Sequence, residues 1–233
     1  MFLRFQCLMS KFAVIISLSV LSLQVSAATE QASTLGLSKL VERLGKINTF
    51  SGAFVQESVD PKGRRIQESK GELKAQRPGL FYWHTKEPLE QVVYSNATHV
   101  TVYDPDLEQA TIQKVSAQSK TTPAILFSGD VDRIGELFDV EYREVSATVA
   151  QFILTPKTKD SLFERLKIRF EGQHLKAMHL SDALGQVSSL SFIYSEVNLV
   201  FPDDTFVPNL PEGIDIIRDV PLASESVPSQ ELP

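Results

Sequence analysis

The spacing of hydrophobic residues in this chain changes period once. In "LSKLVERLGKIN", Leu37, Leu40, Val41, Leu44 and Ile47 recur at helical spacing, with Lys39, Glu42, Arg43 and Lys46 between them. This predicts an amphipathic helix over 37–47, with Asn48 as a left-handed stop. From Thr49 the period becomes two. "TFSGAFVQESVD" reads as a strand, "DPKG" at 60–63 as a tight turn, and "RIQESKGELKAQ" as the return strand. Leu73, Ala75, Arg77, Phe81 and Trp83 share one phase, while Glu72, Lys74 and Gln76 occupy the other. The first phase should face inward, yet it contains an arginine.

Alternation continues through "GLFYWHTKEP", "EQVVYSNATHVTVYDPD" and "LEQATIQKVS", broken at "SNAT" and "DPD". It resumes in "DVEYREV", "AQFILTPK", "FERLKIRFEG", "HLKAMHLSD" and "QVSSLSFIYSEVNL". Roughly ten short strands at hairpin spacing indicate a mainly β protein, built as a large antiparallel sheet, a barrel or a sandwich. One interruption, "TTPAILFSGDVDRIGELFDV", is helical. Thr122 can cap, Pro123 suits a first turn and Gly129 suits an exit. Asp130 can then cap a second short helix with Val131, Ile134, Leu137 and Phe138 on one side. Ala124, Ile125, Leu126 and Phe127 make a turn that is apolar almost all round. Its pattern fits a buried crossover helix equally well.

The ends differ from the middle. Arg4 and Lys11, the apolar run 12–23 and the small residues of "VSA" at 25–27 predict a signal peptide over 1–27. The apolar run is shorter than the roughly 20 residues a membrane span needs. The only cysteine, Cys7, falls inside that segment, and it does not stand at the cleavage point where a lipid-bearing cysteine would. From Val220 the chain is rich in Ser, Pro and Glu, and a disordered tail is expected over 220–233. The domain therefore spans 28–219, and no linker divides it.

Charge narrows the partners. Without residues 1–27, two of the 23 basic groups go and all 29 acidic ones stay, so the formal charge is 21 less 29, or −8. Nucleic acid and anionic lipid surfaces are both disfavoured. No G-x-S-x-G, H-E-x-x-H or glycine-rich phosphate loop occurs, so catalysis is not expected. His84, His99, His174 and His179 are scattered. The last two, five apart, would point to opposite faces of a regular strand. Asp203 and Asp204 read as solvated turn residues. Neither a metal nor a cofactor is expected.

Five stretches, in order, carry a resemblance: "LVERLGKINTFSGAFVQ", "GELKAQRPGLFYWHTKEP", "VYDPDLEQATIQ", "TTPAILFSGD" and "FVPNLPEGIDIIRD". The chain resembles the periplasmic outer-membrane lipoprotein carrier (LolA) family over about residues 35–218. The resemblance implies an unclosed antiparallel β-barrel with a lid of short α-helices over an apolar cavity. It implies a monomeric, periplasmic, non-enzymatic chaperone without cofactor. Its partners would be acylated lipoproteins, an inner-membrane ABC transporter that loads it and an outer-membrane receptor that unloads it. Arg77 matches the family's lid-latching arginine, which bonds main-chain carbonyls of the lid when the carrier is empty. Phase alone leaves open an arginine reaching out to water. Leu40, Leu44, Phe81, Trp83, Ile125 and Leu126 are expected at the cavity or its mouth. A lipid-sensing module or a lipoprotein receptor of the same fold is the alternative. The receptor is a lipoprotein, which the position of Cys7 opposes.

Overall fold

The computed structural model describes residues 33–96, 98–115, 133–158, 161 and 163–218. Residues 33–45 are helical (α1), and Ile134–Leu137 form a short second helix (α2). Twelve strands follow in chain order: β1 Thr49–Val59, β2 Arg65–Gln76, β3 Leu80–Glu87, β4 Gln91–Ser95, β5 His99–Asp104 and β6 Gln109–Lys114. After α2 come β7 Phe138–Glu144, β8 Val149–Pro156, β9 Arg165–Glu171, β10 His174–Ser181, β11 Val187–Val197 and β12 Asp215–Arg218. They make one sheet in the order β12-β6-β5-β4-β3-β2-β1-β11-β10-β9-β8-β7. Among the described residues its two edges, β12 and β7, do not pair. The barrel is unclosed, as expected.

Neighbouring strands are antiparallel except at one edge, where β12 runs parallel to β6. Alternation cannot reveal that strand, because all four of its residues are exposed. Turn chemistry holds where sequence placed it. The Asp60 carboxylate accepts the Lys62 and Arg64 amides, each at 2.9 Å, and the Gly63 amide reaches the Asp60 carbonyl at 2.9 Å.

Period two gives the sheet an apolar inner face; the opposite face is polar at Glu72, Lys74 and Gln76 on β2, but over β4–β6 it buries Val92, Thr101 and Ala110. Phe50, Phe54, Leu73, Phe152, Leu166, Ile168 and Phe170 are buried on the inner side. Helix α1 lies over one half of that face. Leu40 and Leu44 are sealed at 0% and 2% exposure, and Ile47 follows them at 7%. The charged stripe of α1 is less solvated than its pattern suggests. Lys39 sits 4.6 Å from the centre of the Tyr142 ring, and Arg43 lies 5.5 Å from that of Phe170 while donating to the Gly172 carbonyl at 2.6 Å. These contacts fix α1 above β7 and β9. At Gly36 the helix meets the Val140 main chain so closely that a Cβ would fall on the carbonyl oxygen.

Two local expectations need correction. Asn48 is not left-handed. Asn198, at φ 61°, holds the helix exit from across the fold. Its side chain accepts the Asn48 amide and donates to the Lys46 carbonyl, both at 2.9 Å. This supplies partners for end groups that a helix cannot satisfy itself. Phe138, expected on the second helix, is extended (φ −134°, ψ 145°) and begins β7, buried at 2%. Its buried position is the same, but strand pairing with Pro156 sets the backbone. Residues 1–27 and 220–233, and the helix expected at 123–127, lie outside the described residues.

Two glycines respond oppositely to substitution. Gly71 sits at the β2–β3 irregularity, where a Cβ would strike the His84 carbonyl and stand 2.8 Å from the Phe54 ring. Gly71→Ala is expected to cost about 1–3 kcal/mol, lowering the melting temperature by about 2–4 °C per kcal/mol. Gly45, in α1, has nothing within 4 Å of its added Cβ. Gly45→Ala is expected to stabilise by about 0.4–1 kcal/mol. Thermal denaturation of both variants reads the two signs.

Candidate functional site

The inner face is not uniformly sealed. Cross-strand register aligns Leu73, Trp83, Val93, Val102 and Thr111 in one row, and Ala75, Phe81, Ser95, Val100 and Gln113 in the next. Leu73 and Ala75 on β2 are buried, but from β3 to β6 this face is only half-buried. The result is a wall continuous with the core, apolar at Phe81, Trp83, Val93, Val100 and Val102 and polar towards β6 at Thr111 and the exposed Gln113. Trp83 marks the boundary. Its ring packs at a tilt on buried Phe54, with centres 4.3 Å apart, and lies stacked 6.2 Å from Phe81, while its indole Nε1 donates to Thr85 Oγ1 at 3.0 Å. Its polar atom is thus satisfied and its ring is free to line an apolar space. Such a wall can hold flexible hydrocarbon.

The expected site residues divide into three groups. Phe81 and Trp83 stand on the half-buried wall. Leu40 and Leu44 lie deeper, in the packed core between α1 and the sheet. Ile125 and Leu126 fall outside the described residues. Val93, Val100 and Val102 belong to the same wall, although no single stretch of sequence marks them. Carrying the phase of Trp83 across the two hairpins of "EQVVYSNATHVTVYD" would have found them.

Arg77 requires a more exact description. β2 ends at Gln76, so Arg77 opens the turn 77–79, beyond the last inward strand position. Its amide donates to the Asn48 carbonyl at 3.0 Å, which ties this turn to the exit of α1. The side chain is half-buried, and burial lowers the guanidinium pKa from its ordinary value. A cation thus stands at the rim where the helix exit meets the apolar wall.

The outward phase of β3 is different in kind. The Tyr82 hydroxyl lies 3.2 Å from His84 Nδ1, and His84 Nε2 lies 2.8 Å from Glu90 Oε1. Lys86 pairs with Glu72 at 3.3 Å. Burial, then the negative charges of Glu72, Tyr94 and Glu90, pushes the Tyr82 pKa up to about 12. Among the described residues no group of three or more His, Cys, Asp or Glu side chains is arranged to hold a metal. The two C-terminal histidines do share a face after all. A bulge between Leu175 and Ala177 inserts one residue, which brings His174 and His179 both outward.

The raised Tyr82 pKa has a stability consequence. The folded state holds this proton more tightly than the unfolded chain, whose tyrosine titrates near its ordinary value of about 10. The stabilisation is therefore complete below pH of about 10 and is lost as pH rises towards about 12. Denaturant midpoints measured across that range should fall more steeply for the native chain than for Tyr82→Phe.

A family model described as outer membrane lipoprotein carrier protein LolA matches residues 45–209. The outer-membrane lipoprotein carrier protein of Hahella chejuensis is 42% identical over 198 residues, covering 84% of this chain and 95% of that protein. That of Pseudomonas entomophila is 40% identical over 202 residues, covering 87% and 97%. Among solved structures, an uncharacterized conserved protein from Thermus thermophilus shares the fold. It has a TM-score of 0.52 at 11% identity, over 78% of this chain and 98% of that one.

Proposed function

The chain belongs to the outer-membrane lipoprotein carrier family, and on that premise we propose that it ferries acylated lipoproteins through the periplasm, sheltering their acyl chains against the apolar wall of its sheet. The observation that carries this reading is identity of about 40% sustained across nearly the whole length of named carriers. The wall from β3 to β6 supports it, being largely apolar and only half-buried. An inner-membrane ABC transporter loads the carrier and an outer-membrane receptor unloads it. Neither step requires a cofactor or catalysis by the carrier.

The physical need is clear from magnitudes. Each methylene taken out of water contributes about 0.8 kcal/mol, so an acyl chain of about 16 carbons costs on the order of 12 kcal/mol to keep hydrated. A chain that costly does not cross an aqueous space unaided. The carrier must also release it, so some bond made only in the empty state has to oppose cargo. Arg77 is our candidate for that bond, as a latch between the barrel and a helical lid. Its half-buried place at the rim, beside the exit of α1, suits the role. Leu40, Leu44, Ile125 and Leu126 complete the proposed cavity.

Two tests separate the parts of this reading. Phe81→Glu puts a charge on the acyl path and should abolish loading from spheroplasts while leaving the melting curve intact. Normal uptake by this variant would remove Phe81 from the site. In the native chain, emission from Trp83, the sole indole, should shift when an acyl-chain dye binds.

For Arg77→Leu, loading should persist and delivery of preloaded lipoprotein to outer membranes should fall. Hydrogen bonds from a charged donor contribute about 1.5–3 kcal/mol each, so losing one shifts the open–closed balance about tenfold or more. Arg77→Lys should be intermediate, since it keeps the charge and loses the planar fork. Equal delivery by native chain and Arg77→Leu would eliminate the latch.

A further inference from the structure

Away from the apolar wall, the outer surface of β9 carries Arg165, Lys167 and Arg169 on successive outward positions, about 7 Å apart along the strand. Across the sheet, Lys167 faces His179 on β10 and, beyond it, Ser189 on β11. Arg165 faces Ser181 and Val187, and Arg169 faces Ala177 and Ser191. On the other side, β8 presents Gln151 and Ile153. By register, the cross-strand neighbours of the three cations are uncharged aliphatic, amide and hydroxyl side chains and His179.

None of the three cations forms a salt bridge among the described residues. By register the nearest carboxylates are Glu171 at the strand's end, Glu57 beyond β11 and Glu141 on β7, and the last is already held by Arg143 at 2.8 Å. The uncompensated charge registers on a neighbour. His179, bonded to Ser189 at 2.8 Å, has its pKa lowered first by burial and then by Lys167 and Arg169. Two large hydrophobic side chains stay exposed on β11, two strands from β9 and past its last pair with β10, Ile193 at 68% and Tyr194 at 55%.

We propose that the outer wall of β9–β11 is a docking surface for an acidic segment of a partner protein, distinct from the apolar wall inside. Three like charges in one row repel one another and oppose folding, so their lack of partners suits an anion that arrives from outside. The exposed Tyr194 and Ile193 on β11, on the same wall of the sheet, suit the aromatic and aliphatic content of a protein interface. The whole chain carries a formal charge of −6, which opposes its approach to an anionic membrane. A short acidic segment feels only the charges within about 8 Å at physiological salt, and there the strip dominates.

Amide NMR of the purified full chain, titrated with oligo-glutamate, tests the proposal. Chemical-shift changes should be confined to β9–β11 and should weaken as salt is raised. Lys167→Glu/Arg169→Glu should lower the affinity about tenfold or more. The neutral pair Lys167→Gln/Arg169→Gln should lower it by less. A matched reversal elsewhere, Lys62→Glu/Lys114→Glu, should change it less than about threefold. The spectra themselves report whether each variant is folded. Shifts centred elsewhere, or equal losses in the matched control, would overturn the assignment. So would binding to phosphatidylglycerol-containing vesicles in preference to oligo-glutamate, which would make the strip a lipid-surface contact.

Discussion

An apolar sheet face that does not close on itself has to be covered, and that requirement organises this molecule. Closed barrels hide the inner face by wrapping it. Here β12 and β7 stay apart, so cover has to come from elsewhere. Helix α1 supplies it over one half, with Leu40 and Leu44 sealed against the sheet. Lys39 and Arg43 brace the helix laterally through aromatic rings of β7 and β9. Asn198 fixes its exit from across the fold. The half of the sheet from β3 to β6 has no such plug among the described residues, and its inner side chains remain half-buried. One half is thus a conventional packed core, and the other leaves its inner side chains partly open.

That asymmetry suits reversible binding. A well-packed interior excludes guests because every gap costs contacts. On the proposed function, a wall of Phe81, Trp83, Val93, Val100 and Val102 would remove water from a flexible chain without dictating its shape. The buried half supplies the rigidity that lets the other half stay incomplete. Phe54 is the hinge between them in packing terms, since it belongs to the core and also packs on Trp83.

Much of this was legible in the chain because its two periods are clean. Helical spacing located α1 and its buried stripe, and alternation located most strands and the inward phase of Leu73, Ala75, Phe81 and Trp83. What escaped depends on registers that no local pattern encodes. The membership of Val93, Val100 and Val102 in the wall follows only when phase is carried through two hairpins. β12 escaped because a fully exposed edge strand has no alternation to read. The β10 bulge reversed the expected faces of the two histidines by inserting a single residue. Arg77 shows the limit of phase most sharply. Its parity pointed inward, yet the strand ends one residue earlier, and its burial is that of a turn at the rim.

The sheet order also bears on how this chain folds. Phe50 on β1 pairs with Val197 on β11, and β6 waits for β12, the last strand described. The centre of the sheet therefore joins segments that are far apart along the chain, while most other neighbours are simple hairpins. Closing such long loops is slow, because the entropy is spent before the pairing returns it. Until β11 arrives, β1 presents an unpaired edge that contains Phe50 and Phe54. An open apolar strand edge is a template for pairing with other chains. A chain delivered progressively from its N-terminal end must then hold β1 idle until almost the whole domain is present, which makes the interval before that pairing its period of greatest exposure to aggregation.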